Sequence, residues 1–256
     1  VIKISCCVGI KKLYNIGSAL FVFAENGIWK IDGVDGVFRA SEYSIQKISE
    51  VGILTAESFV AAEGIPFWWS RFGIHTMTFE QATGQAREEN ISISTIQSYW
   101  DDIGTAQKLM VKAVYDRINK RIYWGYPNNG ETVNAKLNNF LLLDVPLQAF
   151  IPWEIKDESG ATDAIVGLAF YSGYGSGDIE LDVITSAGDD VVTSAGDDVV
   201  STQLSDFATG DPAIVLLIRD GATNQLTMGG FSGTDFLDWG STNYSSYAVA
   251  GYEFLG

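Results

Sequence analysis

The sequence predicts an all-β fold, a β-propeller-like series of antiparallel blades with one short inserted helix. Three observations carry that expectation. First, a phrase of apolar strand, tight turn and aromatic second strand recurs along the chain. It runs Ala19–Ala24, Glu25-Asn26-Gly27, Ile28–Ile31, then Phe59–Ala62, Glu63-Gly64-Ile65, Pro66–Ser70, then Lys112–Asp116, Arg117–Lys120, Arg121–Trp124. A hairpin returning at several tens of residues marks a radial β-repeat. Second, 27 glycines against five prolines suit many turns and few long helices. Third, 46% hydrophobic and 12% aromatic residues in a chain of 256 supply a sizeable core.

Each element follows from local pattern. Residues 19–31 form a hairpin whose Asn26-Gly27 accepts the positive φ of a type I′ turn. In residues 37–57, Ser44, Ile45, Ile48, Val51 and Ile53 permit a short helix or a connecting strand. Residues 58–79 give a second hairpin, with Arg71-Phe72-Gly73 turning into the strand Ile74–Phe79. Ser94-Thr95-Ile96-Gln97 matches a capping box, in which the Ser hydroxyl accepts from a first-turn amide and the Gln reaches back. Ile96, Tyr99, Trp100 and Ile103 then share one helical face. Gly104 ends this helix near 95–103, which is expected to pack between blades.

Residues 109–126 make the third hairpin, turning at Asn119-Lys120. Asn139–Asp144 and Ala149–Trp153 are its blade's outer strands. Residues 164–185 give two strands about the loop Ser172–Gly177. Residues 213–219 and 225–231 give a hairpin around Asp220-Gly221, and Tyr247–Leu255 begins another strand. Thr185–Val192 repeats at once as Thr193–Val200, either a recent duplication in a tolerant loop or a doubling in the written sequence. The expected organisation is propeller blades over 1–155 and further strands of the same platform over 156–256. Without an initiating Met, and ending in a strand-like segment, the chain is expected to belong to a longer polypeptide.

Charge narrows the function classes. The formal net charge is −16, from 32 acidic and 16 basic residues. An acidic surface repels phosphates and anionic membranes, which suits a conduit for DNA better than a binder. No apolar run reaches the length that spans a bilayer. Cys6 and Cys7 are adjacent, and a bond between neighbours is strained. They are expected to be buried thiols in a reducing compartment.

No catalytic residue, cofactor or metal is assigned. His75 is the only histidine. It lies in an alternating strand with no nucleophile motif nearby, so any Ser-His-Asp arrangement would have to recruit it. Asp189, Asp190, Asp197 and Asp198 form an acidic glycine loop, whose alternative use is calcium binding. Asp101-Asp102 and Glu88-Glu89 offer paired carboxylates for a glycosidase, without the Arg cluster or Asp-box turns of sugar-cleaving propellers. Trp68 and Trp69 must point to opposite faces of a strand. That places them in inter-blade packing or at a subunit interface, where Trp is enriched. No phosphate-binding or dinucleotide fingerprint occurs, and basic residues do not interleave with aromatics as a nucleic-acid platform needs.

An ordered series of phrases resembles the tail nozzle proteins of short-tailed bacteriophages, a family of tail tubular protein B-like, β-propeller-bearing virion proteins. The phrases are Phe21–Trp29, Ile65–Ile74, Asn90-Ile-Ser92, Thr95–Ile103, Val114–Asp116 through Arg121–Trp124, Leu143-Asp144 and Ala149–Glu154. They cover roughly residues 19–155, and Tyr244–Leu255 is weakly similar to a later family segment. The run Asp116-x-x-Asn119-x-Arg121-Ile-Tyr123-Trp124 also resembles blades of the YWTD receptor propellers, which implies that Asp116 and Arg121 belong to a blade's hydrogen-bonding scheme. The phage resemblance implies a structural role, with six copies forming a ring at the tail end. The ring would conduct the genome during ejection, with DNA present only in transit, and contact tail adaptor and fibre proteins. The implied location is the virion tail, assembled in the host cytoplasm. The alternatives from other classes are an extracellular adhesion propeller and a propeller glycoside hydrolase.

Overall fold

The computed structural model describes residues 2–33, 39, 42–79, 85–131, 136–154, 164–171, 213–219, 226–230, 237–238 and 242–243. The chain divides into two compact units, Val1–Ser159 and Gly160–Gly256. The described residues are predominantly β, as the sequence predicts.

The first unit holds three four-stranded antiparallel sheets, each running up and down in chain order. The first comprises β1 (Ile10–Ile16), β2 (Ala19–Ala24), β3 (Gly27–Gly33) and β4 (Tyr43–Ser49). The second comprises β5 (Val60–Ala62), β6 (Ile65–Trp69), β7 (Ile74–Phe79) and β8 (Ala86–Asn90). The third comprises β9 (Lys112–Asp116), β10 (Arg121–Tyr126), β11 (Asn139–Asp144) and β12 (Ala149–Glu154). Residues 43–49 therefore take the strand option that their sequence left open. The recurring phrase does mark hairpins, yet it occupies different places. It is β2–β3 in the first sheet and the opening pair, β5–β6 or β9–β10, in the other two.

The second sheet is packed on both faces. Phe21, Phe23, Ile28 and Ile53 meet Trp68 and Met77 in one core. Val60, Phe67, Trp69 and Ile74 meet Ile122, Trp124, Leu141 and Leu143 in another. The connector after β4 joins the first core to the second sheet: Ile53 N donates to Ala24 O and Leu54 N to Trp69 O, both at 2.9 Å. Close backbone approach requires Gly52 there, because an added Cβ would lie 2.2 Å from Ala24 O. A single 3₁₀ turn, Ala56–Ser58, follows.

Two turns differ from expectation. Ala24 pairs with Gly27, so Glu25 and Asn26 are the turn residues of the first hairpin. The type I′ signature falls instead at Glu63 and Gly64, with φ of 51° and 82°. The Asn26 side chain holds the N-terminal segment: it accepts from Val8 N at 2.9 Å and donates to Cys6 O at 2.7 Å. Cys6 is exposed at φ 62° and Cys7 only partly covered, so the two thiols are not both buried.

Between the second and third sheets lie two short helices, α1 (Gln97–Asp102) and α2 (Thr105–Lys108). The capping box does not form. Ile96 is the cap residue of α1 and makes no side-chain bond. The connector is organised from Asn90, whose Oδ1 accepts from Ser92 N at 3.0 Å and Ile93 N at 3.2 Å. Gln97 turns away to donate to Phe72 O at 3.2 Å. Gly104 opens α2 rather than serving as a left-handed stop. The expected helical face is real: Trp100 and Ile103 enter the core shared by the second and third sheets, flanked by Ile96 and Tyr99.

In the second unit, β13 (Ala164–Tyr171), β14 (Ala213–Arg219) and β15 (Leu226–Gly230) form an antiparallel sheet in that order, and β16 (Leu237–Asp238) pairs with β17 (Thr242–Asn243). The expected hairpin of 213–219 with 225–231 is thus present as β14–β15. The strand expected after Ser172–Gly177, the doubled octad and the strand at Tyr247–Leu255 lie outside the described residues.

Candidate functional site

The blade motif assembles around the β9–β10 hairpin. Asp116 pairs across the turn with Arg121, leaving residues 117–120 as a four-residue loop. The buried Asp116 carboxylate closes that loop. Its Oδ1 accepts from Ile118 N at 2.9 Å and Asn119 N at 3.1 Å, and its Oδ2 from Asn119 Nδ2 at 2.8 Å. An Asp that satisfies its own turn in this way replaces backbone bonds the hairpin cannot make. The Arg121 side chain does not bond to that of Asp116. Its Nε donates to Asp144 Oδ2 at 3.2 Å, and this bond raises the guanidinium's pKa further.

Asp144 repeats the device one hairpin later. Its Oδ1 accepts from Leu147 N at 3.2 Å. In each loop the residue four after the Asp is left-handed, Lys120 at φ 53° and Gln148 at φ 52°. The two loops touch, with Val145 N donating to Lys120 O at 3.0 Å. The rest of the motif is split between faces. Trp124 is buried and donates from Nε1 to Ser58 O at 3.0 Å, tying the third sheet to the turn that leads into the second. Tyr123, its neighbour, must face the other way; burial, and then Asp116, raise its pKa. All five motif residues therefore act in turn closure and sheet packing.

Trp68 and Trp69 are both 0% exposed. Trp68 packs edge-on to Phe23 with ring centroids 5.2 Å apart, and Trp69 does the same to Trp100 at 4.5 Å. The pair fills the two cores on either side of the second sheet. The subunit-interface reading of these residues is thereby corrected, since neither presents surface to a partner.

His75 is also buried, in a polar cluster beside the first core. Its ring stacks on Trp68 at 5.9 Å. Nδ1 bonds to Glu88 Oε1, while Ser49 Oγ donates to Glu88 Oε2 at 3.2 Å. Nε2 is buried without a hydrogen-bond partner. Burial lowers the imidazole pKa, against the opposing pull of Glu88. The chain of contacts is Ser–Glu–His. A nucleophilic triad needs Ser on the imidazole and the carboxylate behind it, so this order holds two sheets together and activates no hydroxyl.

The other carboxylate pairs do not converge. Glu88 points inward while Glu89 is exposed, and Asp101 and Asp102 are both exposed on α1. Asp189, Asp190, Asp197 and Asp198 lie outside the described residues. Among the described residues no group of three or more His, Cys, Asp or Glu side chains is placed to hold a metal ion. A 340 Å³ hollow lies where the Glu25-Asn26 turn, Glu50–Ile53 and Arg71-Phe72 meet. Glu25 on its wall is already paired with Lys11 at 2.7 Å.

Sequence reasoning missed three groupings. Tyr115 Oη donates to Glu63 Oε1 at 2.7 Å, and burial, then this bond, push the phenol up to about 12. Tyr99 and Tyr126 share a hydrogen bond between α1 and β10. Lys108 lies 4.6 Å over the Trp100 ring, its pKa lowered by burial. The two tyrosine pairings join residues far apart in the chain, and the Lys108–Trp100 contact depends on the turn between α1 and α2, so no local spacing announces them. The sequence matches no protein family and no curated protein.

Proposed function

We propose that this chain is a structural assembly module: the first unit supplies consecutive blades of a β-propeller, in a virion protein resembling the phage tail nozzle. One observation carries the architectural part. Three up-and-down sheets stack face to face with like strands adjacent. Tyr14 of β1 lies 5.1 Å from Phe59 at the entry to β5, β5 contacts β9, and Ser49 at the end of β4 bonds to Glu88 of β8. First strand beside first strand, and last beside last, is the relation between neighbouring blades around an axis.

The virion part rests on the order of the resembling phrases, supported by α1 standing in the connector just before the third sheet. The polar residues of the blade motif are engaged in turns and sheet pairing, which suits a scaffold that acts through its surfaces. In this reading six copies form a ring that the genome traverses, with adaptor and fibre proteins as neighbours. Negative-stain electron microscopy of the full-length protein, alone and in purified particles, tests it. Rings with a central hole, matched by density at a tail tip, are expected. Discrete single particles without a ring, and with no place in a virion, would transfer the proposal to an adhesion propeller.

A further inference from the structure

The two ends of the third sheet differ in charge. At one end the loops 117–120 and 145–148 meet, as their backbone bond shows. Arg117 and Lys120 are exposed there, and their side chains make no hydrogen bond or ion pair among the described residues. Between and beside them stand Ile118, 60% exposed, and Leu147, 75% exposed. The acids of these two hairpins, Asp116 and Asp144, are buried and already engaged. Among the described residues, Glu63 is the exposed acid at hand, on the neighbouring turn, where it accepts from Tyr115. In a chain of net charge −16, Lys11, Lys30, Arg39, Lys47 and Lys112 by contrast each have a carboxylate partner.

At the other end of the same sheet lies the α1–α2 connector. Asn129, in the loop after β10, accepts from Gly104 N at 2.7 Å and donates to Asp102 O at 2.9 Å, which fixes the connector there. Its exposed groups include Asp101, Asp102, Ile93 (67%) and Leu109 (51%). Lys108, its only cation, is folded onto Trp100. One end therefore offers two exposed cations around exposed aliphatics, and the other two exposed acids around exposed aliphatics, of which Asp101 accepts from the neutral Gln97 amide at 3.0 Å. The five residues of β9 keep them roughly 15 Å or more apart.

We infer that these ends are the two halves of a head-to-tail contact between copies of this chain, the basic loop tip of one seated on the acidic connector of the next. A heterologous contact of this kind closes into a ring or propagates, according to its rotation. Paired aliphatics rimmed by opposite charges have the composition of a protein interface rather than of a phosphate-binding strip. The inference rests on the assembly reading in requiring self-association, and adds the surfaces that make it.

The test is a charge swap on the full chain, read by sedimentation velocity at about 50 mM and about 500 mM salt, with circular dichroism to verify folding. Wild type should associate, at least tenfold more weakly in high salt. R117E/K120E alone and D101K/D102K alone should each be monomeric, and mixing the two should restore association, because every tip then meets a connector of opposite sign. Wild type that assembles equally well with either pair of substitutions overturns the contact while leaving ring formation intact. A strictly monomeric wild type overturns it too, and leaves the tail reading to the particle images. Duplex DNA bound by wild type and lost in R117E/K120E, with no change in oligomeric state, would give the tip to a phosphate backbone and equally overturn the inference.

Discussion

Replacing Trp124 by Phe and, separately, Trp69 by Phe removes the same atoms from the same core with opposite polar consequences. Both rings are fully buried in the core between the second and third sheets. The loss of apolar surface and packing on going from indole to phenyl is therefore similar at the two sites. The Trp124 Nε1–H donates to Ser58 O at 3.0 Å, and Trp124→Phe leaves that buried carbonyl without this donor. An abandoned buried acceptor costs about 1–3 kcal/mol. The Trp69 Nε1–H has no partner, so Trp69→Phe removes a desolvated donor and recovers about 1 kcal/mol or more. Taking the low end of each, Trp124→Phe should be less stable than Trp69→Phe by about 2 kcal/mol. With a urea slope of about 2 kcal/mol/M, the midpoints should separate by about 1 M. Urea unfolding followed by far-ultraviolet circular dichroism gives the comparison, provided the slopes agree between variants. Equal midpoints, or Trp69→Phe the weaker, would refute the account of how these indoles are satisfied.

Protonation of His75 should couple to stability. Its folded pKa lies below the ordinary value near 6.5, with burial the larger cause. Stability is therefore fully present above about pH 6.5 and declines below it, as the unfolded chain takes up a proton the folded one refuses; His75→Phe should flatten that decline in thermal melts between pH 7 and 5, and an unchanged slope would count against it. Asp116→Ala should cost about 1–3 kcal/mol by freeing the amides of Ile118 and Asn119, whereas Asp116→Asn should retain most of the stability because its Oδ1 still accepts; chemical denaturation ranks the two. At Gly64, φ is 82° and an added Cβ meets nothing within 4 Å. Gly64→Ala should then cost only the left-handed backbone penalty, about 1–2 kcal/mol, and a neutral effect on melting would show that the turn relaxes.

How much the sequence revealed depended on burial. Ala19–Ala24, Ile65–Trp69 and Asn139–Asp144 are nearly continuous buried runs, and such runs declare themselves as central strands. The edges did not. β1 and β8 carry no fully buried side chain, so burial places little constraint on Ile-Lys-Lys-Leu-Tyr-Asn-Ile or Ala-Arg-Glu-Glu-Asn, and neither sequence alternates apolar with polar. The first hairpin's turn was misplaced by one residue because Asn-Gly is a strong local signal, while here Asn26 is held by Val8 and Cys6. The capping box at Ser94–Gln97 failed for the same reason: Gln97 finds Phe72 O, a partner 25 positions away. Of the blade motif, the structural use of Asp116 and Arg121 was legible. The identity of Arg121's partner, Asp144, was not, since it depends on which strand lies next in the sheet.

Adjacent tryptophans on β6 give the second sheet no outer side. Trp68 belongs to the core shared with the first sheet and Trp69 to the core shared with the third. One peptide step is the common wall of two rooms, so a shift of that strand is felt in both at once. Neither flanking sheet can then be trimmed away as a spare module: cutting the chain ahead of β5 strips the lining from Trp68, and ending it after β8 strips the lining from Trp69. The three sheets should melt as one block, and limited proteolysis should find no stable two-sheet remnant inside it.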